Sequence, residues 1–127
     1  MTELNSILYV EDDPDIREVA LMSLETLGGF TVHPCGSGND ALKLLQAQKP
    51  QLALLDVMMP GMDGPSTLRA MREKGQDMPV IFMTAKVQKN EVEAYMALGA
   101  LGVIDKPFDP MALPDQIRAL WSQRKVT

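Results

Sequence analysis

The chain has one cysteine, one histidine and one tryptophan, and aromatic residues make up only 5% of it. With Cys35 alone there is no disulfide framework and no thiolate metal site, which fits a reducing cytoplasm. Cys35 reads as a small apolar side chain in a strand. His33 has no acidic or cysteine partner at ligand spacing, so it reads as a strand-end side chain. No His, Cys or Ser–His pair competes as a catalytic group. No apolar run reaches the ~18 residues that a membrane-spanning helix needs. Met1-Thr2-Glu3-Leu4-Asn5 lacks the charged-then-apolar pattern of an export signal. Positive charge is scarce too: 12 Lys and Arg stand against 17 Asp and Glu, for a net charge of −5, and the one basic cluster is Arg124-Lys125. An acidic domain gains nothing from a phosphate backbone, so direct nucleic-acid binding is disfavoured, and no membrane partner is expected.

What remains has the composition of an ordinary globular domain. The 127 residues are 46% hydrophobic and 23% charged, with no internal repeat, low-complexity stretch or linker. One domain over 1–127 is expected, without a second, output domain. The ten methionines scatter through apolar segments and read as core filler.

Short apolar runs alternate with amphipathic stretches. Ile7–Val10 is the first strand candidate. Asp13-Pro14 then supplies an N-cap and a first-turn proline, and Ile16, Val19, Ala20, Leu24 and Leu27 follow at helical spacing until Gly28-Gly29. Phe30–Val32 is a second strand, and Gly36-Ser37-Gly38 leads into a helix carrying Ala41, Leu42, Leu44 and Leu45. Leu52-Ala53-Leu54-Leu55 is apolar on both faces, as a central parallel strand must be. Pro60-Gly61 and Gly64-Pro65 frame a loop, and a helix runs through Leu68 and Met71 to Gly75. Val80–Met83 is a fourth strand, Asn90–Leu98 a short helix, and Gly102–Ile104 a fifth strand. The last helix runs from about Asp109 to Ser122 with Ile117, Leu120 and Trp121 buried, its first turn disturbed by Pro114. Five strands alternating with five helices predict an α/β domain: a parallel sheet with helices on both faces.

In such a sheet every strand points the same way, and ligands bind beyond the shared carboxyl edge. Glu11-Asp12-Asp13 follow strand one, Asp56 ends strand three, Thr84 ends strand four, and Lys106 follows strand five. Asp13, directly before Pro14, reads as a helix cap. Glu11, Asp12 and Asp56 put three carboxylates in one pocket, where like charges at ~4 Å cost on the order of 1–4 kcal/mol each. Lys106 supplies one compensating charge. A hard divalent cation supplies two more, and an oxygen-only cage suits Mg²⁺ or Mn²⁺. A carboxylate is a competent nucleophile toward phosphorus, and in-line transfer needs the equatorial oxygens neutralised. Lys106 and Thr84 are suited to that task.

With these residues in order, the chain resembles the receiver domains of bacterial two-component response regulators, of the stand-alone single-domain type. Ile7–Pro14, Leu54–Gly64, Met83-Thr84-Ala85 and Asp105-Lys106-Pro107-Phe108 carry the resemblance. It implies a flavodoxin-like three-layer α/β/α fold with strand order 2-1-3-4-5. By resemblance Asp56 is the phosphorylated aspartate, Asp12 the direct metal ligand, Glu11 an acid acting through metal-bound water, and Met58 a backbone-carbonyl ligand. Thr84 is the switch hydroxyl and Lys106 the partner lysine. Pro107 commonly follows a cis bond in the family. Gly61 and Gly64 are expected to supply loop dihedrals that other residues resist. Ala85 leaves the site open, and Met58 and Lys86 flank it and tune water access.

The implied function is that of a signalling receiver, which assists its own phosphorylation and dephosphorylation in cis. Its donor is a histidine kinase or histidine phosphotransfer protein docking near the first helix. A downstream target protein reads the face of the fourth helix, fifth strand and fifth helix, and the chain is a monomer or weak homodimer. One departure stands out. Relatives often carry Tyr or Phe three residues before the lysine, and this chain has Val103. A rotating aromatic therefore cannot report phosphorylation, and a smaller conformational response is expected, through loop or fourth-helix movement alone. Three alternatives compete. A phosphoester hydrolase wants a second acid two residues after the nucleophile, where Met58 stands. A flavin-type cofactor binder wants a hydroxyl- and glycine-rich loop where Glu11-Asp12-Asp13 stand. A degenerate receiver binds partners without phosphorylation.

Overall fold

The structure, a computed structural model, describes residues 3–124. Met1-Thr2 of the N-terminal segment and Lys125 of the basic pair lie outside the described residues. The elements alternate: β1 (Ser6–Val10), α1 (Pro14–Met22), β2 (Thr31–Cys35), α2 (Gly38–Leu44), β3 (Leu52–Asp56), α3 (Gly64–Glu73), β4 (Val80–Thr84), α4 (Lys89–Ala97), β5 (Gly102–Asp105) and α5 (Leu113–Ser122). All strand pairs are parallel, in the order β2-β1-β3-β4-β5. The predicted doubly covered flavodoxin-like sheet is the observed one.

The burial of the central strands explains their reading as strands. Every residue of β3 (LALLD) and β4 (VIFMT) is buried. Side chains alternate across the sheet. Ile7, Tyr9, Leu54 and Met83 pack with Ala20 and Leu24 on one side and with Leu113, Ile117 and Trp121 of α5. Leu8, Val10, Leu55 and Phe82 pack on the other against Ala41, Leu68 and Met71, with Tyr95 and Leu98 partly buried against them. These are the outer layers of a three-layer domain, and Cys35 and Trp121 sit in its core as expected.

Helix starts reflect the local chemistry. Asp13 caps α1 by accepting from the Asp15 and Ile16 backbone N–H groups. Asp63 caps α3 by accepting from Ser66 N–H. Gly64-Pro65 opens α3 instead of framing a loop, because a proline in the first turn needs no N–H partner. Pro114 likewise lies in the first turn of α5, which begins at Leu113 rather than near Asp109.

Three further differences have physical reasons. β2 runs on through Pro34 to Cys35, since it is an edge strand and the proline removes no needed ladder bond. His33 therefore lies mid-strand and half-buried. After Met22 the helix widens into a π turn over Ser23–Leu27, with Gly28 N–H bonded to Ser23 O. The extra residue breaks plain helical spacing beyond Met22, and Leu27 is 52% exposed.

Candidate functional site

The register places the acids. Val10 of β1 lies opposite Leu55 of β3, so Glu11 and Asp56 leave adjacent strands at one edge. The backbone around Glu11 is fixed on both sides: its N–H donates to Cys35 O at 3.0 Å, and its carbonyl accepts from Arg17 Nη1 at 2.7 Å. Its carboxylate accepts from Asp13 N–H at 3.2 Å and from Lys106 Nζ at 2.6 Å. Sequence reasoning overlooked Arg17. It sits one turn inside α1 with no motif to mark it, and only the folded return of the helix over the β1 exit reveals its role.

Asp56 is held from below and beside. Val57 N–H continues the ladder to Met83 O at 3.0 Å, and Gly64 N–H donates to Val57 O at 2.9 Å. Gly64 is glycine for closeness: a Cβ there would lie 2.5 Å from Asp56 O and 2.9 Å from Val57 Cα. Gly61 does adopt a positive φ of 76°, as expected, and Gly64 does not. Thr84, 1% exposed, accepts Lys86 N–H on its hydroxyl at 3.0 Å. Lys106 N–H donates to Thr84 O at 3.0 Å, and the Lys106–Pro107 peptide is cis, as the resemblance implies.

These positions converge. Carboxylate oxygens of Glu11, Asp12 and Asp56 all lie within 4.8 Å of one another. Lys106 Nζ lies 3.2 Å from Asp56 Oδ1. Glu11 and Asp56 are buried, and Asp12 is only partly covered. Glu11, Asp12, Asp56, Met58, Thr84 and Lys106 line one open cleft of about 270 Å³, together with Asp13, Ile16 and Ala85. The Met58 side chain, 60% exposed, stands at its mouth. Lys86 instead lines the neighbouring groove and reaches Thr84 through its backbone.

Burial pushes the Glu11 carboxyl up to about 7; the Lys106 bond opposes this and the Asp56 charge adds to it. Burial works against the Lys106 charge, but its bonds to Glu11 and Asp56 outweigh burial and hold the ammonium above the ordinary lysine range. The buried Tyr9 hydroxyl has no hydrogen-bond partner among the described residues and is kept protonated by burial and by the Glu11 and Asp56 charges. Three carboxylates against one ammonium leave negative charge in excess. The donor set is all oxygen, so it fits a hard divalent cation such as Mg²⁺.

The chain matches the family model of the response regulator receiver domain over residues 7–118. It is similar to the transcriptional regulatory protein CseB of Streptomyces avermitilis, at 39% identity over 120 residues, covering 94% of this chain and 50% of that protein. It is 34% identical to the response regulator Rre1 of Synechocystis over 130 residues, 100% of this chain and 56% of the relative. The chain thus spans about half the length of the curated relatives it matches. Among solved structures, the chemotaxis response regulator CheY4 of Vibrio cholerae superposes with a TM-score of 0.84 at 27% identity, covering 93% of this chain and 99% of that one. No described helix is long and apolar enough to cross a membrane. Strand order, acidic pocket and family match agree: the chain belongs to the response regulator receiver domain family, the signalling modules of two-component systems.

Proposed function

We propose that Asp56 accepts a phosphoryl group from a histidine kinase or a histidine phosphotransfer protein. The observation that carries this is the 3.2 Å approach of Lys106 Nζ to Asp56 inside a cleft that two more carboxylates line. An Asp56 carboxylate oxygen attacks phosphorus as the P–N bond to the donor imidazole breaks, and the imidazole leaves with the electron pair and takes up a proton. Lys106 pairs one equatorial oxygen. Thr84 turns its hydroxyl from Lys86 N–H to donate to another. Glu11, Asp12, Asp56 and the Met58 carbonyl would hold Mg²⁺ or Mn²⁺, which when bound supplies the charge neutralisation that this acidic pocket lacks.

The donor's docking face has a physical candidate. An apolar cleft of about 290 Å³ beside Lys106 is lined by Ile16, Val19, Pro107, Phe108 and Pro110. Met22 and Met111, 63% and 73% exposed, extend the apolar surface. Phosphorylation adds about −1.5 to −2 charges, and an equilibrium shifts only if one state meets them better. Closure of the loops after β4 and β5 around the phosphoryl is that better state. The α4–β5–α5 face changes with it, for a target protein to read.

Intact mass after incubation with acetyl phosphate and Mg²⁺ tests the proposal. The wild type is expected to gain one phosphoryl group, and Asp56→Asn or a chelator to prevent it. A gain on Asp56→Asn, or none on the wild type, would overturn it. Sustained release of product from a generic phosphoester would favour a hydrolase instead.

A further inference from the structure

We infer that Tyr95 is a positioning residue that couples the Thr84 hydroxyl to α4; the inference rests on Asp56 being the phosphoacceptor. Thr84 is buried, and its hydroxyl accepts Lys86 N–H at 3.0 Å. Thr84 also lines the cleft, and a χ1 turn that carries its oxygen toward a phosphoryl group would take that oxygen off Lys86 N–H. A β-branched side chain has few χ1 wells, so the turn toward a phosphoryl oxygen is a jump between wells. The jump releases the bond by which the Thr84 side chain fastens Lys86 N–H.

The segment beyond Lys86 is lightly held. Residues 85–90 are exposed. Gln88, at the start of α4, makes no side-chain capping bond, and no residue of α4 is fully buried. The aromatic side chain of α4 is Tyr95, half-buried, with its ring centroid 5.5 Å from that of Phe82 and the planes inclined at 56°. Phe82 is 0% exposed and lies two residues before Thr84 on β4, so both side chains point to the same face of the sheet. The β5 residue in register with Phe82 is Val103, a short side chain.

The face that carries Thr84 therefore meets α4 through the ring pair Phe82–Tyr95. A jump at Thr84 changes the packing surface beside Phe82 while it frees the loop leading into α4. Tyr95 senses both, from the helix. On this inference position 103 carries no ring, as the sequence shows, and α4 supplies one from outside the sheet.

The chain has two tyrosines, Tyr9 and Tyr95. Incorporated 3-fluorotyrosine gives each a fluorine resonance, assigned with Tyr95→Phe. Acetyl phosphate and Mg²⁺ are added, and intact mass is followed in parallel. A new Tyr95 resonance is expected to grow with the phosphorylated fraction and to be missing in Asp56→Asn. In Thr84→Ala the mass gain is expected to be slower and smaller, and the Tyr95 shift to be missing from whatever fraction is phosphorylated. Tyr95→Phe is expected to keep the phosphorylation-driven amide shifts of α4, and Tyr95→Ala to lose more than half of their amplitude. Tyr9, which feels the Glu11 and Asp56 charges, reports arrival of the phosphoryl independently. Mass gain with a Tyr9 shift and a stationary Tyr95 overturns the coupling while the phosphoacceptor proposal stands. A full Tyr95 shift in Thr84→Ala also overturns it. No mass gain in the wild type removes both.

Discussion

The Lys106 ammonium sits closer to Glu11 than to Asp56, at 2.6 Å against 3.2 Å. It divides its charge between two buried acids and favours the one not proposed to carry phosphorus. An incoming phosphoryl oxygen therefore competes with Glu11 for Lys106, and a divalent cation competes with Lys106 for Glu11.

Lys106→Ala is expected to destabilise the chelator-treated protein by ~2 kcal/mol or more. Removing one partner of a buried ion pair leaves the other charge without compensation, and the Lys106 side chain is only 16% exposed. Mg²⁺ is expected to restore more stability to Lys106→Ala than to the wild type, because two acids are then unpaired. Urea denaturation with chelator and with Mg²⁺ measures both. Equal Mg²⁺ effects on the two proteins would show that the ammonium and the cation do not compete.

Stability should fall as pH rises through the acid range to neutrality in chelator. Burial raises the Glu11 carboxyl to about 7 in the folded protein, against about 4.3 unfolded. The native state then binds the extra proton. Its contribution is complete below the unfolded value and is lost as pH climbs through the folded one. Thermal midpoints of wild type and Glu11→Gln across this window are expected to differ in slope, with the wild type falling more steeply. Parallel curves would remove Glu11 as the cause.

Gly64→Ala is expected to cost about 1–3 kcal/mol by overpacking, since the new methyl would press on the Asp56 carbonyl and Val57 Cα. Because those atoms are backbone, relief displaces Asp56 itself. Acetyl phosphate labelling is expected to slow even where urea denaturation shows the protein folded. Gly61→Ala, in open space but at positive φ, is expected to lose stability with less effect on labelling.

Ser23→Ala is expected to lose about 1 kcal/mol. The Ser23 hydroxyl donates to Pro110 O across a separation of 87 residues, and the residue is buried. That bond ties the α1 π turn to the loop after Lys106. The check is urea denaturation, with an unchanged midpoint as the contrary outcome.

Much of this site was legible because its logic is topological. LALL and VIFM are apolar on both faces, which makes them central parallel strands and sends Asp56 and Thr84 to the shared carboxyl edge with Glu11 and Lys106. Asp13-Pro14 marked a cap that the structure confirms. Contacts that depend on three-dimensional return were illegible: Arg17 on the Glu11 carbonyl, Ser23 on Pro110, Lys86 N–H on Thr84. The π turn was hidden because side-chain type does not distinguish an i→i+5 bond from an i→i+4 bond. The apolar run ends at Val32, yet β2 continues through Pro34 because an edge strand leaves the missing N–H unneeded. Pro114 does mark a later start, with α5 opening at Leu113 and the proline in its first turn.

The widened turn at Ser23–Leu27 also bears on how this chain tolerates changes of length. Removing a residue from a regular helix rotates everything beyond it by about 100°. Here one residue is already surplus to the regular winding. Deleting a single exposed position within the turn, such as Glu25 or Thr26, would return the helix to ordinary pitch and leave Phe30 and β2 in place. An alignment gap in this family would be accommodated at that bend with little disturbance of the acidic pocket at the other end of α1.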